Sequence, residues 1–261
     1  MNKFKGTGVA IVTPFKSNEE IDFAGLEKVT EHIINGKCEY IVVLGTTGES
    51  VTLTKDEKKQ VAETIKRVNN GRVQLVIGIG GSNTHEVLDY ISHFDFTGFD
   101  AVLSVCPYYN KPNQQGIINH YTAIADASPL PIILYNVPGR TGVNMTAATT
   151  LKLAQHENII AMKEASGNFE QCMQIIKNKP EGFLVISGDD AITLPLIAAG
   201  MDGVISVIAN AYPADFSEMV RLALAGNFEA ARKLHYKLLD HSITIFADGS
   251  PGGIKEILNY M

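Results

Sequence analysis

No run of about 20 apolar residues occurs in the chain, which leaves no candidate for a membrane-spanning helix. An excess of basic residues is also missing. The chain carries 22 Lys and Arg against 28 Asp and Glu, a net charge of -6 at pH 7. With no phosphate-neutralising surface, a nucleic-acid partner is not expected. Cysteine is scarce and odd in number. Cys38, Cys106 and Cys172 are too widely spaced for a disulfide frame or a zinc site. They suit a reducing cytoplasm, as small buried hydrophobes. The opening Met1-Asn2-Lys3-Phe4-Lys5-Gly6 has no signal-peptide core. The 7 histidines contain no His-Glu-x-x-His spacing, so no metal site is expected. His235 and His241 share one helical run and read as surface residues. Neither a Walker A loop nor a Gly-x-Ser-x-Gly elbow is present. Gly78-Ile79-Gly80-Gly81-Ser82-Asn83 starts like a dinucleotide fingerprint but lacks its third glycine. It reads more simply as a strand-to-helix turn.

What the chain does have is a regular alternation of short apolar runs and longer amphipathic ones. Eight strand-like runs fall at 8–13, 40–44, 74–79, 101–105, 131–135, 159–163, 184–187 and 203–207. Most are continuous stretches rich in Val and Ile, as parallel strands covered on both faces require. Helical periodicity fills the gaps at 22–35, 54–68, 84–94, 114–126, 146–155, 169–178, 190–199 and 213–225. Thr54 and Glu57 have the spacing of a capping box and fix where the second helix begins. This pattern predicts an α/β fold, a (β/α)8 TIM barrel. Such a barrel takes about 250 residues as one unit, and the chain has 261, 45% of them hydrophobic. An open doubly wound sheet is the alternative. After Ala225 only helices are expected, at 228–241 and from 253 onward. The expected division is a barrel catalytic domain at 1–225 and a C-terminal helical segment at 226–261.

Active sites of such barrels lie at the C-terminal ends of the strands. The polar residues that follow each apolar run are therefore the candidates. Lys163 ends Ile159-Ile160-Ala161-Met162, so its stem would rise beside apolar barrel layers. An amine taken out of water disfavours its ammonium form, and the free amine is the nucleophile of Schiff-base chemistry. The other reading is a strand-end lysine that reaches water or pairs with Glu164. Tyr135 ends the preceding strand, where a phenol can donate and accept protons. It could equally be a core-edge tyrosine. Thr46 and Thr47 sit between Gly45 and Gly48, a turn able to offer backbone N–H groups and two hydroxyls to a carboxylate, or simply a helix approach. Arg140 follows Pro138-Gly139, where a guanidinium could grip a carboxylate or stay solvated.

Several stretches, in order along nearly the whole chain, resemble the dihydrodipicolinate synthase family, part of the N-acetylneuraminate lyase superfamily of class I aldolases. They are Gly8-Val9-Ala10-Ile11-Val12-Thr13-Pro14-Phe15, Gly45-Thr46-Thr47-Gly48-Glu49-Ser50, Pro107-Tyr108-Tyr109-Asn110-Lys111-Pro112, Tyr135-Asn136-Val137-Pro138-Gly139-Arg140-Thr141, Lys163-Glu164-Ala165-Ser166 and Ser187-Gly188-Asp189-Asp190. The resemblance implies a lyase of diaminopimelate and lysine biosynthesis that condenses pyruvate with L-aspartate 4-semialdehyde, without a cofactor. Lys163 would form the imine with pyruvate. Tyr135 would move protons, relayed through Thr46 and Tyr109. Tyr109 would reach in from a neighbouring subunit, so a homodimer or homotetramer is implied. Thr47 and the backbone at Thr46 would hold the pyruvate carboxylate, with Gly188 and Ile205 lining its pocket. Arg140 would bind the carboxylate of the aldehyde. Sister aldolases that take other aldehydes, as N-acetylneuraminate lyase does, share the imine lysine, and a non-catalytic ligand-binding barrel is the rival from another class.

Family members run several tens of residues past the position of Met261, so the C-terminal segment reads as short and truncated. The family's lysine-inhibitor site would map near Ser50, Val51, Lys55, Lys58, Ser82, Glu86 and Tyr108. The cations of Lys55 and Lys58 lead us to expect weak or absent inhibition by lysine.

Overall fold

The computed structural model describes residues 3–261. Eight parallel strands close in sequence order into a barrel: β1 (Gly6–Ala10), β2 (Tyr40–Val43), β3 (Gln74–Gly78), β4 (Ala101–Val105), β5 (Ile132–Asn136), β6 (Ile159–Glu164), β7 (Leu184–Ser187) and β8 (Gly203–Ser206), with β8 paired to β1. The open-sheet alternative is thereby excluded. Side chains alternate along each strand, which splits the core in two. Val42, Val76, Leu103, Ile133, Ala161 and Ile205 pack inside the barrel. Ile41, Leu75, Val102, Leu134, Met162 and Val204 face the helices. The floor of the barrel is shut by Phe4, whose ring meets Tyr40 edge-on at 5.6 Å. Gly8 gives Tyr40 its room, since a Cβ at position 8 would fall 2.1 Å from that ring.

Around the barrel run α1 (Phe23–Asn35), α2 (Lys55–Asn69), α3 (Thr84–His93), α4 (Gln114–Ala127), α5 (Pro138–Thr141), α6 (Ala147–Leu153), α7 (Phe169–Asn178), α8 (Thr193–Ala198) and α9 (Pro213–Leu224). The capping box at α2 forms as expected: Thr54 Oγ1 accepts from Glu57 N, and Thr54 N donates to Glu57 Oε2. All three cysteines are buried and free. Of the two histidines read as surface residues, His241 is exposed and His235 is half-buried. Among the described residues no helix is long and apolar enough to cross a membrane.

Most bounds shift by a few residues, and three differences have a clear physical cause. The first strand starts earlier and stops at Ala10, because Val12 N turns to the side-chain oxygen of Asn210, not to a strand. The helix expected from Asp190 starts at Thr193, because the Asp190 carboxylate accepts from Val207 N and Ile208 N at the end of β8. The single turn of α5 had no periodic signal; Pro138 opens it at the first helical position.

The C-terminal helices are α10 (Phe228–Thr244) and α11 (Gly252–Tyr260). Their buried residues, Ala231, Leu238 and Ile254, join the same apolar cluster as the outer faces of the strands.

Candidate active site

Strand register sets the centre of the site. On β5 and β6, Tyr135 stands opposite Lys163 and Asn136 opposite Glu164. Alternation sends the first pair inward and the second outward. Lys163 is only 5% exposed, and its Nζ lies 4.3 Å from the centroid of the Tyr135 ring. It neither reaches bulk water nor pairs with Glu164. The Glu164 oxygens are taken by Asn136 Nδ2 at 3.1 and 3.2 Å, Gln171 Nε2 at 2.9 Å and Ser166 N at 2.7 Å. Both alternatives weighed for Lys163 therefore fail.

Gly188 closes in behind the lysine. A Cβ there would lie 2.9 Å from Lys163 Cε and 3.2 Å from Lys163 Cγ. The same Cβ would lie 2.7 Å from Ala165 Cβ, so a larger residue at 188 would force the Lys163 stem or Ala165 to shift. Ile205 is fully buried in the same inner cluster as Tyr135.

A cavity of about 980 Å³ opens at the C-terminal mouth. Tyr135, Thr46 and Arg140 line it together with Lys55, Lys58, Glu86 and Tyr108, whereas Lys163, Thr47, Gly188 and Ile205 are not among its lining residues. Burial and the neighbouring Lys55 hold the Lys58 ammonium below the ordinary lysine value. Ser50 and Val51 border the same space, whereas Ser82 is not among its lining residues. Thr47 is buried within the β2 loop, where Thr13 Oγ1 donates to Gly48 O at 2.7 Å. Arg140 is exposed, with Nη2 donating to Ser250 O at 3.4 Å. Thr46 and Tyr135 share the cavity, but among the described residues no hydrogen bond joins them. Tyr109 stands apart, 88% exposed and away from the cavity wall.

Sequence reasoning missed two features here. One is backbone strain. Leu44 and Glu49 in the β2 loop, and Tyr109 and Lys111 in the β4 loop, all take positive φ without being glycine. Such conformations cost about 1 kcal/mol or more each and gather at functional loops. The other is the outward clasp of Asn136, Glu164 and Gln171, extended by Asn144, which accepts from Asn136 Nδ2 at 2.7 Å. Its signal was available. A polar residue after an inward-facing strand end must face outward and find a partner there.

The dihydrodipicolinate synthetase family profile matches residues 3–261. The chain belongs to that family. A 4-hydroxy-tetrahydrodipicolinate synthase of Parabacteroides distasonis is 53% identical over 98% of the chain and 87% of its own length. One from Flavobacterium psychrophilum is 54% identical over 98% of the chain and 88% of its own length. A solved dihydrodipicolinate synthase of Acinetobacter baumannii, complexed with pyruvate, superposes with a TM-score of 0.95 at 39% identity, covering 98% of this chain and 88% of that one.

Proposed function

We propose that this protein is a 4-hydroxy-tetrahydrodipicolinate synthase, condensing pyruvate with L-aspartate 4-semialdehyde through a Schiff base on Lys163. The observation that carries the reading is a buried lysine whose Nζ faces a phenol ring and whose neighbouring carboxylate is fully engaged elsewhere. The Lys163 amine attacks the pyruvate ketone, and the carbinolamine loses water to give the imine. The imine draws electrons, a methyl proton leaves, and an enamine forms. Its carbon attacks the aldehyde, whose oxygen takes a proton and becomes the hydroxyl. The substrate's own amine then adds to the imine carbon and releases Lys163. One water leaves in the net reaction.

Tyr135 is the proton carrier in this scheme, with Thr46 and a partner's Tyr109 as relay. Thr47 and the Thr46 backbone hold the pyruvate carboxylate, Gly188 and Ile205 wall its pocket, and Arg140 receives the carboxylate of the aldehyde. The exposure of Tyr109 favours a homodimer or homotetramer in which it crosses to the next subunit. The three buried thiols suit the cytoplasm. Lys55 and Lys58 in the cavity wall oppose a second cation, so millimolar lysine should leave the initial rate nearly unchanged. Inhibition below millimolar lysine contradicts that expectation.

The deciding experiment is borohydride reduction in the presence of pyruvate, followed by mass spectrometry of the Lys163 peptide. The expected result is a reduced pyruvate adduct on Lys163. No adduct means a non-catalytic barrel. An adduct with turnover of N-acetylmannosamine, but not of aspartate semialdehyde, assigns the chain to a sister aldolase.

A further inference from the structure

Two contacts tie α11 to the mouth of the barrel. Lys255 forms an ion pair with Glu49 in the β2 loop. The same Nζ lies 4.2 Å from the centroid of the Phe15 ring, in the segment after β1. These two partners flank the turn that carries Thr46 and Thr47. Glu49 N donates to Thr46 O at 3.0 Å on one side. On the other, Thr13, two residues before Phe15, donates to Gly48 O. Glu49 holds a left-handed φ of +53°, so the turn is not in its relaxed shape.

Lys255 is well placed to hold that shape. Its neighbour Ile254 is fully buried, which fixes the helix under it. A Cβ on Gly253 would come 2.5 Å from Ile245 O, so α11 seats tightly on the end of α10. The side chains of Lys255 and Glu49 are 22% and 28% exposed, which shields the pair from much of the screening a surface pair suffers. A third contact, Ser250 O on Arg140, ties the segment before α11 to the β5 loop.

We infer that Lys255 is a positioning residue: through Glu49 and Phe15 it holds the Thr46–Thr47 turn in the shape that binds the substrate carboxylate. This rests on the role proposed above for that turn. It makes the C-terminal helices part of the catalytic unit, beyond their role in packing.

The test is a double-mutant cycle of Lys255→Met and Glu49→Gln, with Lys255→Arg as the conservative variant. The readouts are KM for pyruvate, kcat, the Lys163 adduct at saturating pyruvate, and Tm. Each single variant should raise KM for pyruvate about fivefold, as loss of a partly shielded ion pair predicts. The adduct at saturation should stay complete and kcat nearly unchanged. The double variant should be no worse than either single one, and Lys255→Arg should behave as wild type. Unchanged KM, additive effects in the double variant, or a fall in kcat that merely follows Tm overturns the inference. Absence of any adduct in the unmodified protein overturns the proposed function and this inference together. Unchanged KM with a normal adduct overturns this inference alone.

Discussion

Lys163 and Glu164 are neighbours on one strand and almost equally buried, at 5% and 2% exposed, yet their surroundings are opposites. Glu164 faces the helices and is saturated by Asn136, Gln171 and Ser166. Lys163 faces the barrel axis and meets an aromatic face. A buried polar group that holds the fold together must be satisfied, because each orphaned donor or acceptor costs about 1–3 kcal/mol. The role proposed for Lys163 asks the opposite, a group left free to react. One step along the strand separates the two, and alternation keeps them from interfering.

The contrast predicts opposite mutational signatures. Lys163→Ala should lower kcat at least about a thousandfold, with stability changed far less than activity. Retained turnover in the folded variant would erase the distinction. Tyr135→Phe should follow, with kcat down by roughly 10²- to 10⁴-fold and KM for pyruvate little altered. Equal losses in kcat and thermal stability would move Tyr135 to the structural side. Glu164→Ala should do the reverse. It takes a buried acceptor from three donors, of which Asn136 keeps Asn144, and Gln171 keeps Asn144 and Met145, so urea unfolding should show a loss of about 2 kcal/mol or more. A variant within about 1 kcal/mol of wild type would show that the clasp is dispensable.

His120 falls between the extremes, and its effect shows only on acidification. It is buried, with Nδ1 2.8 Å from Thr84 Oγ1 and, among the described residues, no partner for Nε2. Burial pushes its pKa down from 6.5 to about 4. Between those values the unfolded chain binds more protons than the folded one, so stability rises with pH across that window. Acidification through the same window should cost up to about 3 kcal/mol at its lower end. His120→Asn keeps an acceptor for Thr84 and cannot titrate. Melting curves from pH 7 to 4.5 should therefore show a shallower decline than in wild type. Parallel declines would assign the acid sensitivity to other groups.

Most of this arrangement was legible in the sequence, for a physical reason. The strands are buried on both faces, so most announce themselves as continuous Val- and Ile-rich runs. Lys163 and Tyr135 could be named because each directly ends such a run. The register that sets them face to face was not legible, because pairing depends on barrel closure and no local pattern encodes it. Lys255 escaped notice for a similar reason. Its partners lie 206 residues away at Glu49 and further still at Phe15, and an isolated lysine on an amphipathic helix looks like any solvated cation. Asp190 misled in a simpler way. It was placed inside a helix, when its carboxylate is committed to the backbone after β8.

Phe4 and Tyr40 plug the lower end of the barrel interior. On the proposed function, whatever reacts with the Lys163 amine would enter and leave at the strands' C-terminal end. In the scheme proposed above, a keto acid joined to Lys163 would lie below the aldehyde that follows it, so the closed end would impose a queue: the keto acid first, the aldehyde second, and the ring-closed product out before the next keto acid.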